Sequence, residues 1–251
     1  MEKLRLNSCG VWLDLMLQRP ETSQAGPLLL LLHGVTGNKR ERHLEGIAEA
    51  AIQEGFSVLR GDFSGHGLSG GCFEDHTIDI WVRNVLDLLS YARTLPFVTK
   101  VYLSGHSQGG LAVMLAAAEQ PAWIDGLILL SPAWMIPEQA RQGHILGHEF
   151  DPNHLPQRLP LKADLALGRE YLSCAQGLDP ISAMEAYPGP VLIIQGTADA
   201  TVPWEYGKLA AERYSNAELS LIGGDTHCYD LHLREVEAAV GAWLKRQCAD
   251  E

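Results

Sequence analysis

Residues 101–111, VYLSGHSQGGL, constrain this chain more than any other segment. Three apolar residues, Val101, Tyr102 and Leu103, run into Ser104-Gly105-His106-Ser107-Gln108-Gly109-Gly110, and residues 111–118 continue at helical spacing. Strand, tight turn and helix are the setting in which Gly-x-Ser-x-Gly holds its serine on a strained corner. Such a corner is crowded, so the positions two residues either side must lack a Cβ, as Gly105 and Gly109 do. The turn lifts the Ser107 hydroxyl clear of the sheet and sets it at the positive end of a helix, which favours developing negative charge. The plainer alternative is a Gly-rich turn in which Ser107 only caps the helix.

The rest of the chain supplies alternating strands and helices. Residues 28–32 are an uninterrupted apolar run, as expected of a strand buried on both faces, and 56–60, 127–130, 191–195 and 219–222 read as further strands. Residues 4–8 and 11–17 alternate like an antiparallel pair with a turn at 7–10. Helical periodicity covers 43–54 and 77–93, and helices are expected at 204–214 and 231–247. This order predicts one α/β domain over 1–251, a mostly parallel twisted sheet with helices on both faces. Ligands bind such sheets at the carboxyl ends of the strands. Residues 132–186 break the rhythm between strands six and seven, far exceeding the dozen or so residues a parallel crossover needs. Their prolines and aromatic residues predict an inserted lid or cap packed over a cleft.

Composition excludes several partners. A formal charge of −12 argues against nucleic acid and against an anionic membrane surface. No run approaches the ~20 apolar residues that span a bilayer, and the N-terminus carries no secretory pattern. The five cysteines are scattered, without metal or redox spacing, which predicts reduced thiols and a cytoplasmic location. The histidines show no metal-ligand spacing, so neither a metal nor a cofactor is expected.

A serine hydroxyl becomes a nucleophile when a neighbouring base takes its proton and a third group orients that base. Asp199 follows the strand 191–195 and His227 follows the last strand, so the catalytic candidates are Ser107, Asp199 and His227 in that chain order. Asp225 is the rival acid, though it sits too near His227 in sequence to reach the far ring nitrogen with ease. His106 reads as a packing or orienting residue, His66 as structural, and His232 as already helical. The oxyanion of a tetrahedral intermediate needs two preset donors, expected from the backbone N–H groups of Val35 and Gln108.

Three stretches carry a family likeness: His33-Gly34-Val35-Thr36-Gly37-Asn38-Lys39, Asp62-Phe63-Ser64-Gly65-His66-Gly67-Leu68-Ser69 and Gly105-His106-Ser107-Gln108-Gly109-Gly110. The chain resembles the α/β-hydrolase family and, more narrowly, the bacterial cinnamoyl (feruloyl) esterases. The likeness extends into the insertion through Asn153-His154-Leu155-Pro156 and Gly168-Arg169-Glu170-Tyr171-Leu172. It implies a small-molecule ester substrate of the hydroxycinnamate type, a cap that meets the phenolic end, and a homodimer, since dimers occur among the resembling esterases. Tyr171 matches a cap tyrosine that binds the ring hydroxyl, Glu138 falls where that family has an aspartate, and Val35 replaces a more usual phenylalanine. Trp134 could add an aromatic wall. The alternatives are a short-chain acyl esterase, a thioesterase or a monoacylglycerol lipase using the same machinery. A peptidase is another, and more remotely a non-catalytic relative that binds a small molecule.

Overall fold

In a computed structural model, residues 1–21, 25–162 and 164–249 are described. The expected cap interval includes Ala163, and the expected domain interval includes 22–24 and 250–251; these residues lie outside the described ones. The chain opens with a hairpin, β1 (Glu2–Ser8) and β2 (Val11–Gln18). Its two turn residues, Cys9 and Gly10, both have positive φ, 51° and 80°, the turn whose twist matches the strands it joins. There follow β3 (Gly26–Leu32), α1 (Arg42–Gln53), β4 (Ser57–Gly61), α2 (Ile78–Thr94), β5 (Val98–His106), α3 (Gln108–Glu119) and β6 (Gly126–Leu130).

The insertion comes next: α4 (Ile136–Gln142), the short pair β7 (His144–Ile145) and β8 (His148–Glu149), the hairpin β9 (Arg158–Lys162) and β10 (Leu165–Gly168), then α5 (Arg169–Gly177) and α6 (Pro180–Ala186). The main sheet resumes with β11 (Val191–Gly196), α7 (Trp204–Arg213), β12 (Ala217–Ile222) and α8 (Leu233–Ala249).

The main sheet has the order β1-β2-β4-β3-β5-β6-β11-β12, antiparallel at β1, β2 and β4 and parallel from β4 to β12. The five leucines of β3 show why the sheet is covered on both sides. Leu28, Leu30 and Leu32 enter one core with Trp81, Val85 and Leu89 of α2 and Leu111 of α3. Leu29 and Leu31 point the other way, into a core with Leu44 and Ile47 of α1 and Val240 and Trp243 of α8. Side chains alternate along a strand, so an unbroken apolar run stays buried only between two helical layers. Burying each such leucine stabilises the fold by about 1.5–3 kcal/mol.

This mostly parallel sheet, clothed on both faces and interrupted after β6, is the architecture that the resemblance implied. Two local expectations need correcting. The helix after the elbow begins at Gln108 rather than 111, because the Ser107 turn feeds straight into it. His232 is not helical: it lies in the turn before α8, its N–H donating to Asp225 Oδ2 at 3.0 Å. Among the described residues no helix is long and apolar enough to cross a membrane.

Candidate active site

The corner between β5 and α3 holds Ser107 at φ 55° and ψ −123°, a conformation that L residues avoid. Such strain costs about 1–3 kcal/mol and persists only where the surroundings enforce it. The glycines explain how the corner closes. A Cβ on Gly105 would lie 2.3 Å from the Gly109 carbonyl oxygen, and one on Gly109 would lie 2.1 Å from the His33 carbonyl oxygen. Ser107 occupies the N-cap position of α3, yet its side chain makes no capping hydrogen bond. The plain N-cap reading is thereby removed.

Asp199 and His227 are delivered by the loops after β11 and β12. His227 Nδ1 and Asp199 Oδ2 are 2.7 Å apart. Asp199 Oδ1 accepts the N–H groups of Thr201 and Val202 at 2.8 and 2.9 Å, and Gln195 Nε2 donates to Oδ2 at 3.0 Å. Burial pushes the Asp199 carboxyl up, but the hydrogen bond and charge of His227 and the two loop N–H groups outweigh it, holding the group below the usual carboxylate range. With Nδ1 engaged, Nε2 is the ring nitrogen left for a partner in the cleft. The rival Asp225 is fully buried and used elsewhere: it accepts the N–H groups of Thr226, Leu231 and His232, pinning the turn before α8. His106 Nε2 donates to the His227 carbonyl at 2.9 Å, so it steadies the loop that carries His227.

The loop after β3 presses against the corner. A Cβ on Gly34 would come within 2.9 Å of Ser107 Cβ, so the backbone at 33–35 runs beside the serine. Two histidines brace this loop. His33 Nδ1 donates to the Gly34 carbonyl at 2.7 Å and its Nε2 accepts the Phe63 N–H at 3.0 Å. His66 Nδ1 donates to the Ser64 carbonyl at 3.2 Å and its Nε2 accepts the Thr36 N–H at 3.3 Å. One donor and one acceptor on each ring require neutral imidazoles. Burial accordingly pushes His33 down to about 3 and His66 to about 4. Lys39 anchors the far end of the loop, its Nζ 2.5 Å from Asp62 Oδ2 and 2.6 Å from Asp14 Oδ1. Nothing in the linear sequence paired Lys39 with Asp14; only strand order brings them together.

Ser107 and His227 share the walls of one cavity of about 270 Å³ with Gly34, Val35, Thr36, Glu41, His106, Thr201 and Cys228. The cap closes it with Leu146, His148, Leu161 and Lys162. A larger groove of about 500 Å³ between α2, α3 and α6 lies away from these residues; its one hydroxyl, Ser182, donates to Asp179, and no histidine lines it to act as a base.

The three expected substrate contacts are placed elsewhere. Tyr171 is fully buried and donates its hydroxyl to Gln108 Oε1 at 2.7 Å, so it braces the residue after Ser107. Glu138 is exposed on α4, where its Oε1 accepts from Gln142 Nε2 at 3.0 Å. Trp134 donates to the Tyr206 carbonyl at 2.9 Å and packs edge-on against that ring. None of the three lines the cavity holding Ser107. The cap residues that do line it come from the two hairpins. Leu146 is the clearest: it sits in the β7–β8 turn at φ 50°, a geometry the sequence Ile145-Leu146-Gly147 does not advertise.

Comparison with known proteins places these features in context. The sequence-family description "Serine aminopeptidase, S33" matches residues 23–176. The structure of Est1E from Butyrivibrio proteoclasticus with ferulic acid bound superposes with a TM-score of 0.96 at 42% identity, covering 98% of this chain and 99% of that one. Mouse serine hydrolase BPHL is 24% identical over 221 residues, covering 82% of this chain and 74% of the relative. The sn-1-specific diacylglycerol lipase ABHD11 of Xenopus tropicalis is 29% identical over 163 residues; the match spans 64% of this chain and about half, 48%, of that lipase.

Proposed function

The chain belongs to the serine aminopeptidase S33 family of α/β-hydrolases, and from that premise we propose that it cleaves carboxylic esters of hydroxycinnamates through an acyl-enzyme on Ser107. The observation that carries this reading is the 2.7 Å contact of Asp199 with His227, whose ring lines the same cavity as Ser107. His227 Nε2 takes the hydroxyl proton as Ser107 Oγ attacks the ester carbonyl, and returns it to the departing alcohol. Asp199 holds Nδ1–H and stabilises the imidazolium. The backbone N–H groups of Val35 and Gln108 receive the developing oxyanion, the first from the loop pressed against Ser107 and the second from the opening turn of α3. Water, activated by the same imidazole, then releases the acid.

The acyl preference rests on size and on the relative. A cavity of about 270 Å³ lies just below the usual range of ligand sites, about 300 to 1,000 Å³. That favours a flat, compact acyl group over a long chain, and the structure of the 42% identical Est1E has ferulic acid bound. Cys9, Cys72, Cys174 and Cys228 are free thiols, which supports a reducing, cytoplasmic setting. The deciding experiment compares kcat/KM for methyl ferulate, p-nitrophenyl butyrate and p-nitrophenyl octanoate. Preference for ferulate is expected; preference for octanoate would replace this reading with a lipase or thioesterase, toward which the aliphatic walls Val35, Leu146 and Leu161 point.

A further inference from the structure

Behind one wall of the catalytic cavity, three side chains from two segments converge on a point. Glu41 stands at the N-cap of α1, yet its side chain makes no capping hydrogen bond. His43 lies two residues on, and His106 is the last residue of β5. One ligand atom from each of Glu41, His43 and His106, a carboxylate oxygen and two ring nitrogens, lies within 4.8 Å of the other two. Each of the three residues also carries a buried side-chain atom without a hydrogen-bond partner: Glu41 Oε2, His43 Nε2 and His106 Nδ1. One such atom asks for an explanation in a folded protein; three aimed at one point ask for a shared ligand.

The chemistry of that ligand follows from the donors. His106 Nε2 faces a carbonyl, so it carries the proton and Nδ1 presents a lone pair. His43 and His106 are each 3% exposed, with ring centroids 4.4 Å apart in a T-shaped pair. Two imidazole nitrogens and one carboxylate oxygen are the donor set of zinc-class divalent ions, not of magnesium or calcium. Bonds of about 2.0–2.2 Å set tetrahedral donor separations near 3.4 Å, so the three atoms need close by at most about 1.4 Å.

We propose that Glu41, His43 and His106 form a binding site for a zinc-class divalent cation in the wall of the catalytic cavity. Glu41 and His106 also line that cavity, which gives the ion its entry. Bound there, the ion ties the start of α1 to the residue before Ser107 and, through His106 Nε2, to the loop of His227. It acts as a brace and performs no step of the reaction. The rival occupant is one buried water, donating to Glu41 Oε2 and His106 Nδ1 and accepting from His43.

The test uses the full chain, stripped with chelator and titrated with Co²⁺ and then Zn²⁺, read by visible absorption and thermal melting rather than by turnover. One equivalent of Co²⁺ should give the absorption of a four-coordinate nitrogen–oxygen site, which Zn²⁺ then displaces. Saturating Zn²⁺ should raise the melting midpoint by roughly 5 °C. His43→Gln and Glu41→Gln should each abolish both signals while keeping the parent's circular dichroism; Glu41 is only partly buried, so its variant is the safer for folding. A stripped parent that shows neither signal has the water-bridged arrangement, and the proposal falls. Binding that survives in both variants belongs to surface histidines such as His154 and His232 and equally overturns it.

Discussion

Asp199 and His227 stand 28 positions apart in the chain, yet Oδ2 of one meets Nδ1 of the other at 2.7 Å, at the ends of adjacent parallel strands. The contact is possible because β11 and β12 pair in register from Val191↔Ala217 to Gly196↔Ile222, so the loops that follow leave the sheet side by side. If these residues serve Ser107 as proposed, Asp199→Asn should lower kcat by about 10⁴ and Ser107→Ala by about 10⁶. Combining the two should cost little more than Ser107→Ala alone, since the groups act as a unit. Pre-steady-state acyl-enzyme bursts should vanish in the serine variant.

Gly109→Ala tests the corner itself. The new Cβ would meet the His33 carbonyl oxygen at 2.1 Å, and neither backbone can yield without moving the loop that carries Val35. A loss of about 1–3 kcal/mol is expected by urea unfolding, together with a fall in kcat. Unchanged stability would mean the corner is looser than its geometry requires.

Lys39→Met should destabilise the fold by about 3–5 kcal/mol. The ammonium is buried between Asp62 and Asp14, whose carboxylates would be left without it. Double substitution with Asp62→Asn should recover part of the loss, because one of the two unpaired charges is removed while the amide oxygen can still accept a backbone N–H. Chemical denaturation of the single and double variants separates these outcomes.

Tyr171→Phe distinguishes a bracing role from a substrate contact. The hydroxyl donates to Gln108 Oε1, so its loss should lower stability by about 1–3 kcal/mol and reduce kcat through the residue that follows Ser107. Were Tyr171 to hold the ring hydroxyl of the substrate, KM for methyl ferulate would rise with stability unchanged.

Acid sensitivity follows from buried imidazoles, three of which, His33, His66 and His76, lie outside the proposed cation site. Burial pushes His33 to about 3, His66 to about 4 and His76 to about 3, from 6.5. Below pH 6.5 the unfolded chain takes up protons that the folded chain refuses. Stability is therefore whole above pH 6.5 and declines as pH falls toward 4, by up to about 1.4 kcal/mol per pH unit for each ring. Urea unfolding at pH 7, 6 and 5 measures the slope; a flat profile would contradict neutral buried histidines.

Local sequence rules reached far in this chain because several elements carry their instructions within a few residues. The apolar run of β3, the Cys9-Gly10 turn and the two elbow glycines each specify a backbone conformation on their own. The cap was legible as an interruption but not as a surface. Side chains from short hairpins reach the cavity according to turn geometry, as Leu146 does, and Tyr171 faces Gln108 because α5 packs inward.

The amino-acid sequence by itself determined the strand–helix alternation, the corner at Ser107 and the order in which serine, aspartate and histidine appear, since these depend on near-neighbour sterics and on periodic burial. Tertiary structure alone decided how closely Asp199 and His227 meet, which residues the cap turns toward the cavity, and that Glu41 and His43 face His106. Those are relations between segments tens of residues apart, set by strand order and packing, and no local pattern encodes a distance across the sheet.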